Sequence, residues 1–195
     1  LIPPGETSSY RSNPIGLSEF ALSRRVPEYV GRSKAVRALE EAREQGQTPA
    51  EVAEVLAKVG GDAARTTVGS CVFANKPGDG SAREQAASCQ KVLGGFANIC
   101  YEFATKRYRS NCINWGILPF TLEEEVDFPY EPGDCVFVPE IRKAIAEGRE
   151  DIPAKVLKAG GGEVELILHV RGLTAEEREI ILDGCLMNYY AKRAN

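Results

Sequence analysis

The 195-residue chain is long enough to form one large domain or two small ones, and 43% of its residues are hydrophobic, which is ample for a core. Its formal net charge is -4, and its lysines and arginines are scattered among acids, so a nucleic-acid-binding surface is not expected. Neither a membrane-spanning apolar run nor a signal peptide is recognisable, and we therefore predict a cytoplasmic protein that does not associate with membranes.

Residues 1–16 are rich in proline, glycine, serine and asparagine, and they show no helical or strand period, which predicts an irregular loop. Arg11 lies in the middle of this loop among small polar residues. Its guanidinium could bind a carboxylate or remain solvated, and the spacing does not choose between the two. The chain opens on Leu1 rather than methionine, so we expect it to be part of a longer protein.

Residues 17–60 predict helices, because apolar residues recur three and four positions apart. Capping residues and glycines punctuate this stretch at the expected helix ends. The charged residues Glu40, Glu41, Arg43 and Glu44 are predicted to form a solvated helix face.

A strand, a glycine loop and a helix follow one another in residues 66–93. Gly78-Asp79-Gly80 predicts a sharply bent loop between the strand, residues 66–74, and the helix, residues 82–93. Ser81 and Glu84 have the spacing of a capping box, which predicts that Ser81 caps the helix. Unpaired N–H groups at the helix start, together with Arg83, should attract anions. The alternative, a purely capping Ser81 with a solvated Arg83, stays open on spacing alone.

A second strand, residues 96–101, follows Gly94-Gly95 and completes a β-α-β unit. Its two strands should be parallel, and ligands of such sheets bind at the carboxyl ends of the strands, where Ser81 falls. Residues 152–158 and 163–170 predict a further, antiparallel pair of strands. The fold class is therefore predicted as α/β, with a mainly parallel sheet, flanking helices and an added antiparallel pair.

The six cysteines are spread along the chain without a C-x-x-C spacing, which argues against a metal site built from this chain alone. Apolar neighbours, as at Cys71 and Cys135, predict free thiols in the core. The single histidine, His169, lies in a strand pattern far from Ser81 in the sequence and is predicted to be structural. No Ser/His/Asp or Cys/His set can therefore be assembled.

The run Gly80-Ser81-Ala82-Arg83-Glu84-Gln85-Ala86-Ala87 resembles the Gly-Ser-Ser-Arg-Glu-His-Ala-Ala signature of the small, swivelling domain of the aconitase superfamily. Further landmarks of that domain are matched in order and spacing by Ile2-Pro3-Pro4-Gly5, Tyr10-Arg11-Ser12-Asn13, Gly94-Gly95, Phe103-Ala104, Asn111 and Asn114-Trp115-Gly116-Ile117-Leu118-Pro119. The sequence departs from the signature at two positions, where Ala82 replaces a serine and Gln85 replaces a histidine.

The resemblance implies that residues 1–195 form one β/β/α swivel domain with a helical insertion at about residues 17–60. In this family the small domain closes over a larger domain, whose [4Fe-4S] cluster acts as Lewis acid in dehydrating and rehydrating a hydroxy polycarboxylic acid of the citrate and isocitrate type. By resemblance, Ser81 is the catalytic base and Arg83 and Arg11 bind substrate carboxylates, with Gly80 and Ala82 beside them. No metal is expected on this chain.

Two alternatives accompany this interpretation. One is the small subunit of an isopropylmalate or homoaconitate isomerase, and the helical insertion favours the aconitase-like reading over it. The other is a non-catalytic binding module of the RNA-binding type that some aconitase relatives adopt, and the acidic balance of the chain counts against it.

Overall fold

The structure, a computed structural model, describes residues 1–3, 5 and 7–194 of the chain. Pro4, in the predicted opening motif, lies outside the described residues, as do Glu6 and Asn195. The helices of the described part are α1 (Pro14–Ser18), α2 (Tyr29–Glu44), α3 (Ala50–Val59), α4 (Arg83–Val92), α5 (Lys106–Asn114), α6 (Ile141–Glu147), α7 (Ala175–Asp183) and α8 (Leu186–Arg193). The strands are β1 (Ser70–Ala74), β2 (Gly95–Cys100), β3 (Leu118–Thr121), β4 (Cys135–Phe137), β5 (Asp151–Leu157) and β6 (Glu163–His169).

The described strands form one six-stranded sheet in the order β1-β2-β3-β6-β5-β4. Strands β1, β2 and β3 are mutually parallel, whereas β6, β5 and β4 join through antiparallel pairings. Four strands, β1, β2, β3 and β5, consequently point the same way. The predicted α/β class, with a parallel and an antiparallel part, is confirmed, and the antiparallel part gains β4 beside the expected pair.

The parallel half is built from two β-α-β units. Helix α4 connects β1 to β2 and helix α5 connects β2 to β3, which are the crossovers that parallel neighbours require. Ile99 on β2 lies between Phe73 on β1 and Phe120 on β3, and Ile99 and Phe120 are each 1% exposed. Their burial anchors the strand ends from which the candidate site extends.

The antiparallel half shows the alternation expected of a sheet with one buried face. Ile152, Ala154 and Val156 on β5 are buried, whereas the intervening Pro153 is exposed. The buried face packs against helices α6 and α7 and forms the largest apolar cluster of the described residues. The same cluster contains Phe120 of β3, so the two halves of the sheet share one core.

The two halves of the sheet meet where β3 lies beside β6, with Thr121 opposite His169. The His169 Nδ1 atom lies 2.7 Å from Asp151 Oδ1 on β5, and its Nε2 atom lies 3.4 Å from Glu123 Oε1 just beyond β3. The imidazole thus contacts groups from both halves, in keeping with the structural role predicted for it.

Helix α2 is fixed to the sheet by a buried ion pair. Both oxygens of the Glu40 carboxylate accept hydrogen bonds from Arg43 at 2.7 Å, and Glu40 Oε2 also accepts from the Val68 backbone N–H at 2.8 Å. Arg43 donates in turn to the Ala63 carbonyl at 3.0 Å. The predicted solvated face was therefore wrong for Glu40 and Arg43, because the segment entering β1 covers them.

All six cysteines are free thiols, but they are not all in the core. Cys89, Cys100 and Cys112 are buried, and burial raises the pKa of each of these thiols to about 12. The prediction of core positions was wrong for Cys71 and Cys135, which are exposed. They lie on β1 and β4, the two edge strands of the sheet, where apolar sequence neighbours do not guarantee cover on both faces.

Candidate active site

The loop between β1 and α4, residues 75–82, lies at the carboxyl end of the parallel strands. Its backbone is hydrogen-bonded to the segment that follows β2, because the Tyr101 and Glu102 N–H groups donate to the Asn75 carbonyl and the Ala104 N–H donates to the Pro77 carbonyl. The loop therefore lies where open α/β sheets bind their ligands, as predicted.

Gly78 is the residue on which the loop turns. Its φ is +97°, and a Cβ at this position would lie 2.4 Å from Tyr108 Cδ1. Both the backbone angle and the packing require glycine. Gly80 differs, because a Cβ added there would meet no atom within 4 Å. The predicted sharp bend is thus present, and Gly78 carries it.

Helix α4 begins one residue later than predicted, and Ser81 does not cap it. Ala82 is the N-cap residue, with no side-chain hydrogen bond to the helix start. The capping box fails because the Glu84 carboxylate accepts instead from Trp115 Nε1 at 3.0 Å, across to the end of α5. The capping box predicted at the start of α7 is present, with both hydrogen bonds formed between Thr174 and Glu177. A tertiary contact therefore decides between two similar sequence patterns.

Ser81 is exposed, and its hydroxyl has no hydrogen-bond partner among the residues that the structure describes. Four N–H groups, those of residues 82–85, follow it before the first helical hydrogen bond, from Ala86 to the Ala82 carbonyl. The helix start provides partial positive charge at this point of the loop.

Arg83 bends back over the loop. Its Nε donates to the Gly78 carbonyl at 3.3 Å, and the residue is half-buried. No carboxylate of the described residues pairs with this guanidinium, and nearby Asp79 is exposed and likewise without an ion pair in the described part. The terminal nitrogens of Arg83 are thus available for an anion.

Gly80, Ala82 and Arg83 line one small recess of about 20 Å³. The remaining lining residues are Leu1, Ile2, Gly78, Asp79, Ala86 and Tyr108. This volume is far below the 300 Å³ or more of a small-molecule pocket, so the chain presents one wall of a site rather than a closed cavity.

Arg11 is exposed and lies just before α1, the short helix that packs against α4. It is not among the residues that line the recess. The structure therefore brings Gly80, Ala82 and Arg83 together and places Ser81 beside them, while Arg11 belongs to the neighbouring element. That Arg11 and Arg83 both bind substrate carboxylates stays a prediction.

A buried polar network lies beneath the loop, and sequence reasoning missed it. Asn98 on β2 is 1% exposed and accepts from Gln90 Nε2 at 2.6 Å. Its own amide nitrogen lies 3.2 Å from the Tyr108 hydroxyl and 3.3 Å from Cys112 Sγ. An asparagine within an apolar strand was the available signal, since a buried amide must find partners. The network locks together α4, β2 and α5, the elements that carry the site.

A larger recess of about 350 Å³ lies at the ends of β2 and β3. Glu123, Glu124 and Glu125 line it, together with His169 and Arg171. Arg171 Nη2 and His169 Nε2 both contact Glu123 Oε1. The excess of carboxylates makes this surface unsuited to an anionic ligand.

The described residues offer no group of three or more histidine, cysteine or acidic side chains that could hold a metal ion. The buried thiols of Cys89, Cys100 and Cys112 belong to three different elements, α4, β2 and α5. The donor set of the described chain does not fit an iron–sulfur cluster.

The part of the chain that contains this site is similar in sequence to a known protein family. Residues 41–125 match the family model of the aconitase C-terminal domain. Residues 41–125, somewhat less than half of the chain, are thus similar to the C-terminal domain of aconitases. The matched segment contains β1, the loop with Ser81 and Arg83, α4, β2, α5 and β3. Arg11 precedes the matched segment.

Two fungal proteins, each assigned as a mitochondrial aconitate hydratase, are similar in sequence. The protein of Emericella nidulans is 29% identical over 119 residues, which is 60% of this chain and 15% of the relative. The protein of Aspergillus fumigatus is 28% identical over 120 residues, again 60% of this chain and 15% of the relative. The aligned part of the chain thus spans about 15% of the length of the curated relatives it matches.

Among solved structures, the 3-isopropylmalate dehydratase of Methanocaldococcus jannaschii is 27% identical with a TM-score of 0.40, covering 68% of this chain and 69% of that one. No described helix combines the length and the apolar character needed to cross a bilayer. Both fungal relatives are named as mitochondrial, and the cytoplasmic location stays a prediction for this chain.

Proposed function

We propose that the chain is the swivelling small domain of an aconitase-like hydro-lyase that dehydrates and rehydrates a hydroxy polycarboxylic acid of the citrate and isocitrate type. The observation that supports this most directly is the loop Gly80-Ser81-Ala82-Arg83 at the start of α4, inside the segment that matches the aconitase C-terminal domain. In this proposal residues 1–195 act as one domain, and about residues 17–60 are a helical insertion.

Ser81 is the catalytic base of the proposed reaction. It takes the proton from the carbon next to a substrate carboxylate, and the electrons of that C–H bond form the double bond as hydroxide leaves the neighbouring carbon. A serine hydroxyl is a very weak acid, so a serine can act as a base only where its alkoxide form is stabilised. The N–H groups at the start of α4 and the Arg83 guanidinium supply positive charge there, and domain closure removes water from it.

Substrate carboxylates are held by Arg83 and Arg11. Arg83 offers terminal nitrogens that are not paired with any carboxylate of the described residues, and Arg11 is exposed and without a hydrogen bond or ion pair in the same part of the chain. Gly80 and Ala82 form the wall beside Arg83. Two separate cations suit a substrate with more than one carboxylate.

A partner domain completes the site. The recess of about 20 Å³ is too small for a polycarboxylate, and the described residues do not fit a [4Fe-4S] cluster, which the proposal assigns to the large domain or subunit. This chain supplies the base and the arginines that bind the substrate carboxylates.

Ala82 bears on the choice of substrate. Its methyl group stands where the family signature has a serine, so the wall beside Arg83 lacks one hydroxyl. The two fungal relatives assigned as aconitate hydratases favour citrate and isocitrate over isopropylmalate or homocitrate. Comparing kcat/KM for these acids in the complete enzyme decides among them, and turnover of isopropylmalate alone would favour the isomerase alternative.

The experiment that tests the base uses Ser81→Ala in the complete, cluster-loaded enzyme. Because Ser81 neither caps α4 nor makes another described hydrogen bond, the variant should be as stable as the parent. We expect kcat to fall about a thousandfold with a much smaller change in KM. Ser23→Ala, which also removes a hydroxyl without a described hydrogen bond, is the matched control and should retain its activity. Near-normal kcat in Ser81→Ala would refute the assignment.

A further inference from the structure

The carbonyl oxygen of Gly78 accepts hydrogen bonds from two side chains on different elements. Arg83 Nε, at the start of α4, donates to it at 3.3 Å, and the Thr105 hydroxyl, at the start of α5, donates to it at 3.1 Å. This single backbone atom therefore joins the two helices at the carboxyl end of the parallel strands.

The Thr105 hydroxyl has one orientation available. Its oxygen accepts from the Tyr108 N–H at 3.2 Å as the N-cap of α5. Since the hydroxyl has a single proton, that proton is directed at the Gly78 carbonyl. Thr105 therefore caps α5 and also donates a hydrogen bond to Gly78, and only the bond to Gly78 contacts the candidate site.

Gly78 itself has little freedom to move. Its Cα packs against Tyr108 so closely that a Cβ would lie 2.4 Å from the ring. The Tyr108 hydroxyl is held by buried Asn98, and the preceding Pro77 carbonyl accepts from the Ala104 N–H at 2.8 Å. The acceptor that binds Arg83 Nε is thus held in place by packing against Tyr108 and by the neighbouring hydrogen bond from Ala104 to Pro77.

We propose that Thr105 is a positioning residue for Arg83, acting through the Gly78 carbonyl. Arg83 Nε is occupied by that carbonyl, so the guanidinium can bind a carboxylate through its two terminal nitrogens. The other two-point arrangement, through Nε and one terminal nitrogen, is not available. This inference rests on the proposed function, since it requires Arg83 to bind a carboxylate.

The test compares variants of the chain at Thr105 with a matched cap elsewhere. Thr105→Val removes the hydroxyl with little change in volume, and Thr105→Gly removes it while leaving a residue that is tolerated at N-caps. Thr105→Ser keeps the hydroxyl. Thr174→Val removes the N-cap of α7, which has no contact with Gly78, and controls for loss of a cap alone.

Two measurements report on the guanidinium. The first is the hydrogen-exchange rate of the Arg83 Nε–H, measured by NMR. The second is the dissociation constant of the complete enzyme for tricarballylate, a tricarboxylate without a hydroxyl that could react, because this chain forms only one wall of the site. Loss of one hydrogen bond in the chain of contacts should speed exchange about fivefold and weaken tricarballylate binding about fivefold in Thr105→Val and Thr105→Gly. Thr105→Ser and Thr174→Val should differ from the parent by less than about twofold.

Parent-like exchange or parent-like affinity in the folded Thr105→Val and Thr105→Gly variants would overturn the positioning role. Equal changes in Thr174→Val would also overturn it, because a general loss of helix capping would then explain both readouts. Arg83→Gln separates this inference from the proposed function. If Arg83→Gln binds tricarballylate as tightly as the parent, Arg83 is not a carboxylate grip, while the exchange rates still decide whether Thr105 orders its side chain.

Discussion

Gly78 and Gly80 lie two positions apart in the same loop, yet the structure constrains them very differently. Gly78 has a φ of +97° and no space for a Cβ against Tyr108, whereas Gly80 has open space at its Cβ position. Glycine-rich motifs are usually interpreted as a unit, but here one glycine is required by the fold and the other is free for contact with a ligand.

We predict that Gly78→Ala destabilises the chain by about 3 kcal/mol, because it combines an unfavourable backbone angle with a clash against a buried ring. Gly80→Ala is the matched control and should change the free energy of unfolding by less than about 0.5 kcal/mol. Urea unfolding followed by circular dichroism measures both. Equal stability of the two variants would show that the loop can move away from Tyr108.

Ser81 can be substituted without removing the cap of α4. A serine that capped α4 would mix a loss of stability of about 1 kcal/mol with any effect on catalysis. Since Ala82 occupies the N-cap position, the hydroxyl of Ser81 has no structural role in the described chain, and its removal reports on chemistry alone.

At the scale of elements, helix α2 is tied to the sheet rather than merely resting on it. Ser33 donates to Ser70 on β1 at 3.0 Å, Arg37 donates to the Val92 carbonyl at the end of α4 at 2.7 Å, and Glu40 binds the Val68 N–H. These bonds run along three successive turns of the helix. Helix α2, which lies within the predicted helical insertion, thus contacts β1 and α4, which flank the candidate site.

We predict that Glu40→Ala destabilises the chain by about 3 kcal/mol, since it leaves the largely buried Arg43 guanidinium and the Val68 N–H without their acceptor. The matched control is Glu41→Ala on the same helix. Glu41 pairs with Arg37 at 2.8 Å, but both side chains are about half exposed, so its loss should cost less than about 0.5 kcal/mol. Thermal and urea unfolding of the pair provide the measurement, and similar costs would contradict a stabilising role for the buried bond network.

At the scale of the whole molecule, the cysteines of the described residues do not form a group that could hold iron. We predict that the isolated chain stays a colourless, folded monomer without hydratase activity after anaerobic reconstitution with iron and sulfide. The reason is that its thiols lie on different elements and three of them are buried. Absorbance spectroscopy and iron analysis after gel filtration test this. A stable [4Fe-4S] spectrum on this chain alone would contradict the division of labour between the two domains.

The parts of this structure that sequence predicted well are those specified by local pattern. The strand, glycine loop, helix and second strand around Ser81 follow from turn residues and apolar runs, and so does the antiparallel pairing of β5 with β6. The errors arise where a distant partner decides. Trp115 takes the Glu84 carboxylate away from Ser81, and the segment before β1 covers Glu40. Neither partner can be located from spacing within a helix.

The meeting of β3 and β6 at Thr121 and His169 also bears on how the chain reaches its native state. Strands β5 and β6 are joined by a five-residue connection, residues 158–162, so they can close as a hairpin early, whereas β1, β2 and β3 must wait for their crossover helices. Although one strand residue pair joins the two halves, they share one apolar core, in which Phe120 of the parallel half lies with Leu168 of the antiparallel half. The hairpin can therefore form early, but its buried face is covered only when the parallel half docks against it. We accordingly expect the core amide hydrogens of both halves to become protected from exchange together.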